Sequence, residues 1–285
     1  MFKVENLHYM YPKNQKETIQ GVSFEIKKGE IFGFLGPSGA GKSTTQKILI
    51  KLLDNYQGLI TYHNQDISKL NDAFYENIGV SFEMPIHFSK MTALENINFF
   101  LSLYKNNADV ESLMKRVGLW EDKDKLVSEY SKGMKIRLNF VRALLNNPDM
   151  LFLDEPTNGL DPTNAMILKD MVREFRDQGG TVFITSHIMN DIDQLCDRVA
   201  FIVDGQIKEI DTPRNLKMKY GKRTCSIEYQ ENNKIIKEIF ELDNIGKNEA
   251  FLNLLKNKNI QTIHSGETTL EEIFIKVTGV GLNHA

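Results

Sequence analysis

Gly36-Pro37-Ser38-Gly39-Ala40-Gly41-Lys42-Ser43-Thr44 decides how this 285-residue chain is read. The stretch satisfies G-x-x-x-x-G-K-[ST] in full. Apolar Ile31–Leu35 precedes it as a strand, and Thr44–Leu53 follows as a helix. Glycines let such a backbone curl until successive N–H groups point inward at phosphate oxygens. The helix N-terminus adds partial positive charge at the same place. Lys42 brings a full charge to the β- and γ-phosphates of a nucleotide, and Ser43 offers its hydroxyl to Mg²⁺. The plain alternative is a glycine-rich turn that happens to hold a lysine. Strand, loop and helix in register argue against it.

A second feature lies downstream. Met150-Leu151-Phe152-Leu153-Asp154-Glu155 reads as a buried strand ending in two carboxylates. A parallel strand covered on both faces is continuously apolar, and ligands of such sheets sit beyond the carboxyl ends of the strands. Asp154 is placed to hold Mg²⁺ through its water shell. Glu155 is placed to orient or deprotonate an attacking water. Alone, the pair would equally suit a helix cap or a turn; the upstream loop favours the catalytic reading.

Composition sets bounds. With 41% hydrophobic and 26% charged residues the chain is ordinary globular material. A net charge of -3 gives no basic footprint, so nucleic acid is not an expected partner. The longest apolar runs, Met150–Leu153 and Ala200–Val203, are far short of the ~20 residues of a membrane helix. Met1–Val4 alternates like a strand and lacks a signal-peptide core, which predicts a cytosolic protein that reaches a membrane only by docking. Cys196 and Cys225 form no disulfide framework and have no metal spacing.

Residues 1 to about 218 alternate strand-like and helical stretches. Expected strands are Phe2–Leu7, Val22–Ile26, Ile31–Leu35, Leu59–Tyr62, Ile78–Phe82, Met150–Leu153, Val182–Thr185, Arg198–Val203 and Ile207–Ile210. Expected helices follow Lys42, Thr92, Asp109, Ser131, Thr163 and Ile188. This predicts an α/β domain with a largely parallel sheet and a more antiparallel early part. The basic run Lys217–Arg223 reads as a solvated linker or a lipid contact. Residues 224–285 read as a small α+β unit.

Three further segments give the two motifs a context. Tyr130-Ser131-Lys132-Gly133-Met134-Lys135-Ile136-Arg137-Leu138 precedes the acidic strand, Gly159-Leu160-Asp161-Pro162 follows it, and Thr185-Ser186-His187 comes later. In this order the set resembles the nucleotide-binding subunit of ATP-binding-cassette (ABC) transporters, over residues 1 to about 215. The resemblance implies a P-loop cassette with an antiparallel β subdomain, a helical subdomain near 84–142 and a small C-terminal α+β extension. It implies ATP and Mg²⁺ as cofactors, with ATP hydrolysed. Tyr11 falls where the family stacks an aromatic on adenine. Ser131 and Gly133 fall in the signature motif, LSGGQ in the family and YSKGM here, which touches the γ-phosphate of ATP held by a second protomer. Asp161 matches the aspartate that couples the two sites, and His187 the histidine that contacts the γ-phosphate. Glu83 stands where the family has glutamine, as a candidate Mg²⁺ ligand beside Ser43 and Asp154. Ile86, Phe88 and Met91 fall where a membrane subunit docks; the alternative is that they pack inside the helical subdomain.

The ending Thr269-Leu270-Glu271-Glu272-Ile273-Phe274-Ile275-Lys276-Val277-Thr278-Gly279 resembles cassettes of ABC-2 type drug, antibiotic and peptide exporters. The expectation is therefore a bacterial ATPase subunit peripheral to the cytoplasmic face of the membrane. It would pair with a second cassette, identical or homologous, and drive a separate permease. The alternatives are a soluble cassette ATPase uncoupled from transport, or a transporter of other cargo or direction.

Overall fold

The computed structural model describes residues 1–105, 108–231 and 234–281. It divides into two compact units, Met1–Ile210 and Asp211–Gly281.

The first unit is built on two sheets. β1 (Phe2–Tyr9), β2 (Ile19–Ile26), β4 (Gln57–Tyr62) and the two-residue β5 (Gln65–Asp66) form an antiparallel sheet in the order β2-β1-β4-β5. The other sheet runs β10-β9-β3-β8-β7-β6. Its strands are β3 (Ile31–Leu35), β6 (Ile78–Ser81), β7 (Met150–Asp154), β8 (Thr181–Ser186), β9 (Arg198–Val203) and β10 (Gln206–Asp211). The pairs β9/β3, β3/β8, β8/β7 and β7/β6 are all parallel. Every residue of β3, β7 and β8 is buried, as the unbroken apolar runs require. β1 instead alternates buried and exposed positions.

Aromatic rings lock the sheets together. Phe24 of β2 stacks on Phe32 at 5.5 Å and meets Phe34 at 5.2 Å. Phe2 of β1 meets Phe152 edge-on at 5.7 Å. Such pairs each add about 0.5–1.5 kcal/mol beyond the area they bury.

Helix starts follow their caps. α1 (Lys42–Leu49) opens directly out of the glycine-rich loop. Thr92 and Glu95 make a complete capping box for α2 (Ala93–Leu101), and Asp109 caps α3 (Val110–Arg116). Ser131 accepts the Met134 N–H at 3.2 Å and caps α4 (Lys132–Ala143). α5 (Pro162–Asp177) starts two residues before the expected start after Thr163, because Asp161 caps it and Pro162 fills the first position. α6 (Met189–Leu195) follows β8. β2 begins at Ile19, three residues earlier than its apolar alternation indicates; Gly21 there has φ +70° opposite a register shift in β1.

The second unit holds α7 (Pro213–Tyr220), β11 (Arg223–Glu231), β12 (Lys234–Glu241), α8 (Glu249–Asn257), β13 (Asn259–Glu267) and α9 (Leu270–Thr278). Its antiparallel sheet runs β12-β11-β13. Cys225, Ile227 and Tyr229 of β11 form a small core with Leu254 and Phe251 of α8, while α7 packs on α9. The linker reading of Lys217–Arg223 is corrected here. Lys217–Tyr220 closes α7, which Thr212 caps with Pro213 at its first position. The lysines suit the negative end of that helix.

In the first unit, the loop after β6 is anchored to α4. Asn139 donates to Ser81 Oγ and to the Phe82 carbonyl, both at 2.9 Å, and Arg142 donates to the Ile86 carbonyl at 2.7 Å. His87 Nε2–H donates to the Lys135 carbonyl at 3.0 Å, and its buried Nδ1 has no partner. Burial pulls the His87 imidazole from 6.5 down to about 4, and Arg142 and Lys135 add to the shift. Between those values the unfolded chain takes up a proton that the folded chain refuses. Stability should therefore fall as pH drops through that window and level off below it. His87→Gln is expected to flatten this slope in denaturant melts across the window; an unchanged slope would refute the assignment.

Candidate functional site

β3 delivers the chain into the loop, and the loop's shape needs its glycines. A Cβ on Gly36 would lie 2.1 Å from the Ile202 carbonyl of β9. Gly41 caps α1 with φ +104°, a conformation closed to L side chains. Lys42, 8% exposed, folds back on the loop and donates to the carbonyls of Gly36 (2.7 Å) and Pro37 (3.1 Å). Burial lowers its pKa, against the attraction of Glu155, Asp154 and Glu83.

The ends of β7 and β8 meet beside this loop. Asp154 pairs in register with Thr185. Asp154 Oδ1 accepts the Ser43 hydroxyl at 3.1 Å and the Thr185 hydroxyl as well. One residue on, Glu155 takes φ +49°. A non-glycine residue there costs about 1–3 kcal/mol and persists only where its surroundings over-determine it. Here they do. Glu155 Oε1 lies 2.8 Å from His187 Nδ1. Oε2 accepts from the Ser186 hydroxyl at 3.1 Å and the His187 N–H at 3.3 Å. The Glu155 side chain is almost fully buried, whereas His187 is 45% exposed.

A cavity of about 540 Å³ opens over these groups. Ser38, Gly39, Gly41, Lys42, Ser43 and Thr44 line it from the loop, and Glu83, Glu155 and His187 line it from neighbouring strand ends. Thr18 completes the wall; it precedes β2 and carries no motif. Gly36, Pro37 and Ala40 belong to the same loop without lining the cavity, and Asp154 reaches it only through its bond from Ser43. Tyr11 stands at the margin: its hydroxyl is 3.2 Å from Thr44 Oγ1 and its ring meets Tyr9 edge-on at 5.0 Å. Glu83 Oε1 accepts from Asn158 Nδ2 at 3.4 Å.

Ser131, Gly133 and Asp161 are not among the residues that line this cavity. Ser131 caps α4 and Asp161 caps α5. Asp161 accepts both the backbone N–H and the side-chain amide of Asn164, and these bonds hold its carboxyl below the usual range. Ile86 and Phe88 are exposed, at 82% and 45%, whereas Met91 is partly buried.

The ABC transporter family profile matches residues 19–158, and that of the fluoroquinolone efflux ABC transporter C-terminal domain matches residues 223–267. A fluoroquinolones export ATP-binding protein of Mycobacterium tuberculosis is 45% identical over 98% of this chain and 93% of its own length. The chain belongs to the ABC transporter ATP-binding proteins. A bacitracin transport ATP-binding protein of Bacillus licheniformis is 30% identical over 99% of this chain and 98% of its own. Among solved structures, a dimeric ATP-binding cassette in a post-hydrolysis state with ADP and Pi has a TM-score of 0.67. It is 26% identical, covering 74% of this chain and 98% of that one. This ABC cassette is thus an ATPase of the P-loop α/β fold that binds adenine nucleotide, as its sequence indicates. Among the described residues, no helix is long and apolar enough to cross a membrane.

Sequence reasoning missed Thr18, Ser186 and Asn158. Ser186 lies inside the quoted Thr185-Ser186-His187, so its hydroxyl was available as a signal. Lys42→Ala should abolish nucleotide binding and turnover together. A fluorescent-nucleotide titration checks this, and retained affinity would count against the loop.

Proposed function

We propose that this chain is the ATP-hydrolysing subunit of an exporter that moves a drug, antibiotic or peptide through a separate membrane permease. Its likeness to fluoroquinolone export and bacitracin transport cassettes along nearly the whole chain supports the cargo class. Residues 1–218 serve as the ATPase domain, with a helical subdomain near 84–142, and residues 224–285 as an accessory domain. The protein works peripherally at the cytoplasmic face of the membrane. Ile86 and Phe88 offer the apolar contact for the permease.

The observation that carries the enzymatic reading is the Glu155–His187 contact at the edge of the loop cavity. With ATP bound, Lys42 leaves the carbonyls of Gly36 and Pro37 for the β- and γ-phosphates. The loop N–H groups and the α1 N-terminus share the remaining charge. Tyr11 lies against the adenine. The Ser43 hydroxyl and the Asp154 carboxylate suit Mg²⁺, which takes one or two protein oxygens and completes its shell with phosphates and waters. Among the described residues no cluster of three acidic, His or Cys side chains could cage a metal alone. Glu83 offers one more oxygen. Mg²⁺, when bound, neutralises charge on the phosphates.

Glu155 orients the attacking water and takes its proton. His187, held by Glu155, presents its other nitrogen toward the γ-phosphate. Ser131 and Gly133 of a second protomer close the site from across a dimer, with Asp161 at that junction. Glu155→Gln should keep ATP binding, lower turnover about 10²–10⁴-fold and accumulate an ATP-bound dimer in size-exclusion runs. Turnover near wild type in that variant would sink the assignment.

A further inference from the structure

The two segments that carry Glu155 and His187 are joined at a second point, away from the cavity. Thr157, two residues after Glu155, donates its hydroxyl to Asp191 Oδ2 at 2.5 Å. Asp191 belongs to α6, four residues after His187. Its other oxygen accepts from Lys169 Nζ of α5 at 3.0 Å. Lys169 also reaches Gln194 Oε1 at 2.9 Å. Thr157 and Asp191 are only 7% and 8% exposed, and none of the three lines the cavity. Burying such a charge is costly unless every oxygen finds a partner. Asp191 divides its oxygens between a cation on α5 and a hydroxyl on the Glu155 loop.

The division matters because of what Glu155 must do. Its backbone sits at φ +49°, where a side chain stays only if its surroundings hold it. The bonds from Ser186 and His187 supply part of that hold, but they end on the Glu155 carboxylate itself. Whenever that carboxylate turns to a water, those bonds are the ones that loosen. Two ties do not involve the carboxylate and persist: the bond from the Glu155 N–H to the Thr185 carbonyl at 3.0 Å, which holds the backbone where it leaves β7, and the Thr157–Asp191 bond, which holds the loop beyond it.

We propose that Thr157 and Asp191 are positioning residues that keep the Glu155 loop fastened to the His187 segment while the carboxylate engages the attacking water. The inference rests on the reading of Glu155 as the water-orienting group. Lys169 fixes the rotamer of Asp191 and neutralises its charge.

The test is steady-state ATPase kinetics on the full chain, with thermal midpoints recorded for each variant. Thr157→Val removes the hydroxyl and keeps the shape. It should lower kcat roughly tenfold, since the loosening is smaller than the ~1 Å misplacement that can cost about a hundredfold. KM for ATP should be unchanged, while the midpoint falls because one Asp191 oxygen loses its partner. Thr157→Ser should restore kcat. The double variant Lys169→Met/Asp191→Leu removes the ion pair as a unit, which a fold tolerates far better than losing one partner. It should match the kcat loss of Thr157→Val at a near wild-type midpoint. Wild-type kcat in Thr157→Val overturns the proposal. So does a kcat loss that follows the midpoint in both variants, which would mark a structural tie only. Glu155→Gln run alongside separates the two readings. If it turns over rapidly, the assignment of Glu155 fails; if it is inactive while Thr157→Val is normal, only the positioning role fails.

Discussion

The parallel pairing of β7 with β8, Asp154 opposite Thr185, is the constraint on which the site depends. It puts two strand ends side by side so that the next residue of each, Glu155 and Ser186, can bond, with His187 following. A slip of one residue would turn every later side chain to the opposite face. Buried apolar side chains on both faces of β3, β7 and β8 hold the register. The antiparallel sheet contributes Phe2 and Phe24 to that core, so the aromatic packing is also a positioning device for the carboxylates.

Electrostatics explain why the loop is built around a lysine that holds on to its own backbone. Lys42 is buried and faces three carboxylates, those of Glu155, Asp154 and Glu83. Burial disfavours its charge, the carboxylates favour it, and the Gly36 and Pro37 carbonyls accept its hydrogen bonds. A polyphosphate offers better acceptors than two carbonyls, so the exchange is favourable for Lys42. For the carboxylates it is not: more negative charge arrives in a site that already has an excess. A divalent cation held by Ser43 and Asp154 would supply the positive charge that removes that conflict. Glutamate in place of the family's glutamine at Glu83 raises the need for it.

What was legible in the sequence is what short-range chemistry dictates. Gly36–Thr44 declares itself because glycine spacing and one lysine define the cradle, and Met150–Glu155 because a doubly buried strand must be apolar until it ends. Thr18 and Asp191 carried no such mark. The first reaches the cavity only because the strands around it fold there, and the second matters only through Thr157 and Lys169, 34 and 22 residues away. Helix α7 was hidden for a different reason. It buries only Pro213 and Leu216, too little for a periodic signal, and its lysines read as a linker. Thr212-Pro213 was the surviving cue.

The absence of Ser131 and Gly133 from the cavity wall has a mechanical side. Ser131 begins α4, and α4 is fastened through Asn139 to Ser81 and Phe82, just before Glu83, and through Arg142 to Ile86. Its N-terminal end also lies against the loop after Glu155. A Cβ on Gly159 would lie 2.9 Å from Lys132 Cε, and one on Gly133 3.6 Å from the Leu160 side chain. One helix therefore touches both segments that bring acidic groups to the cavity, the one ending in Glu83 and the one beginning at Glu155. Displacing its N-terminus from across a dimer would be felt at both without any contact to the nucleotide of its own chain. Lys132, where the family has glycine, makes that contact larger, because its aliphatic stem lies over Gly159 where glycine would leave a gap.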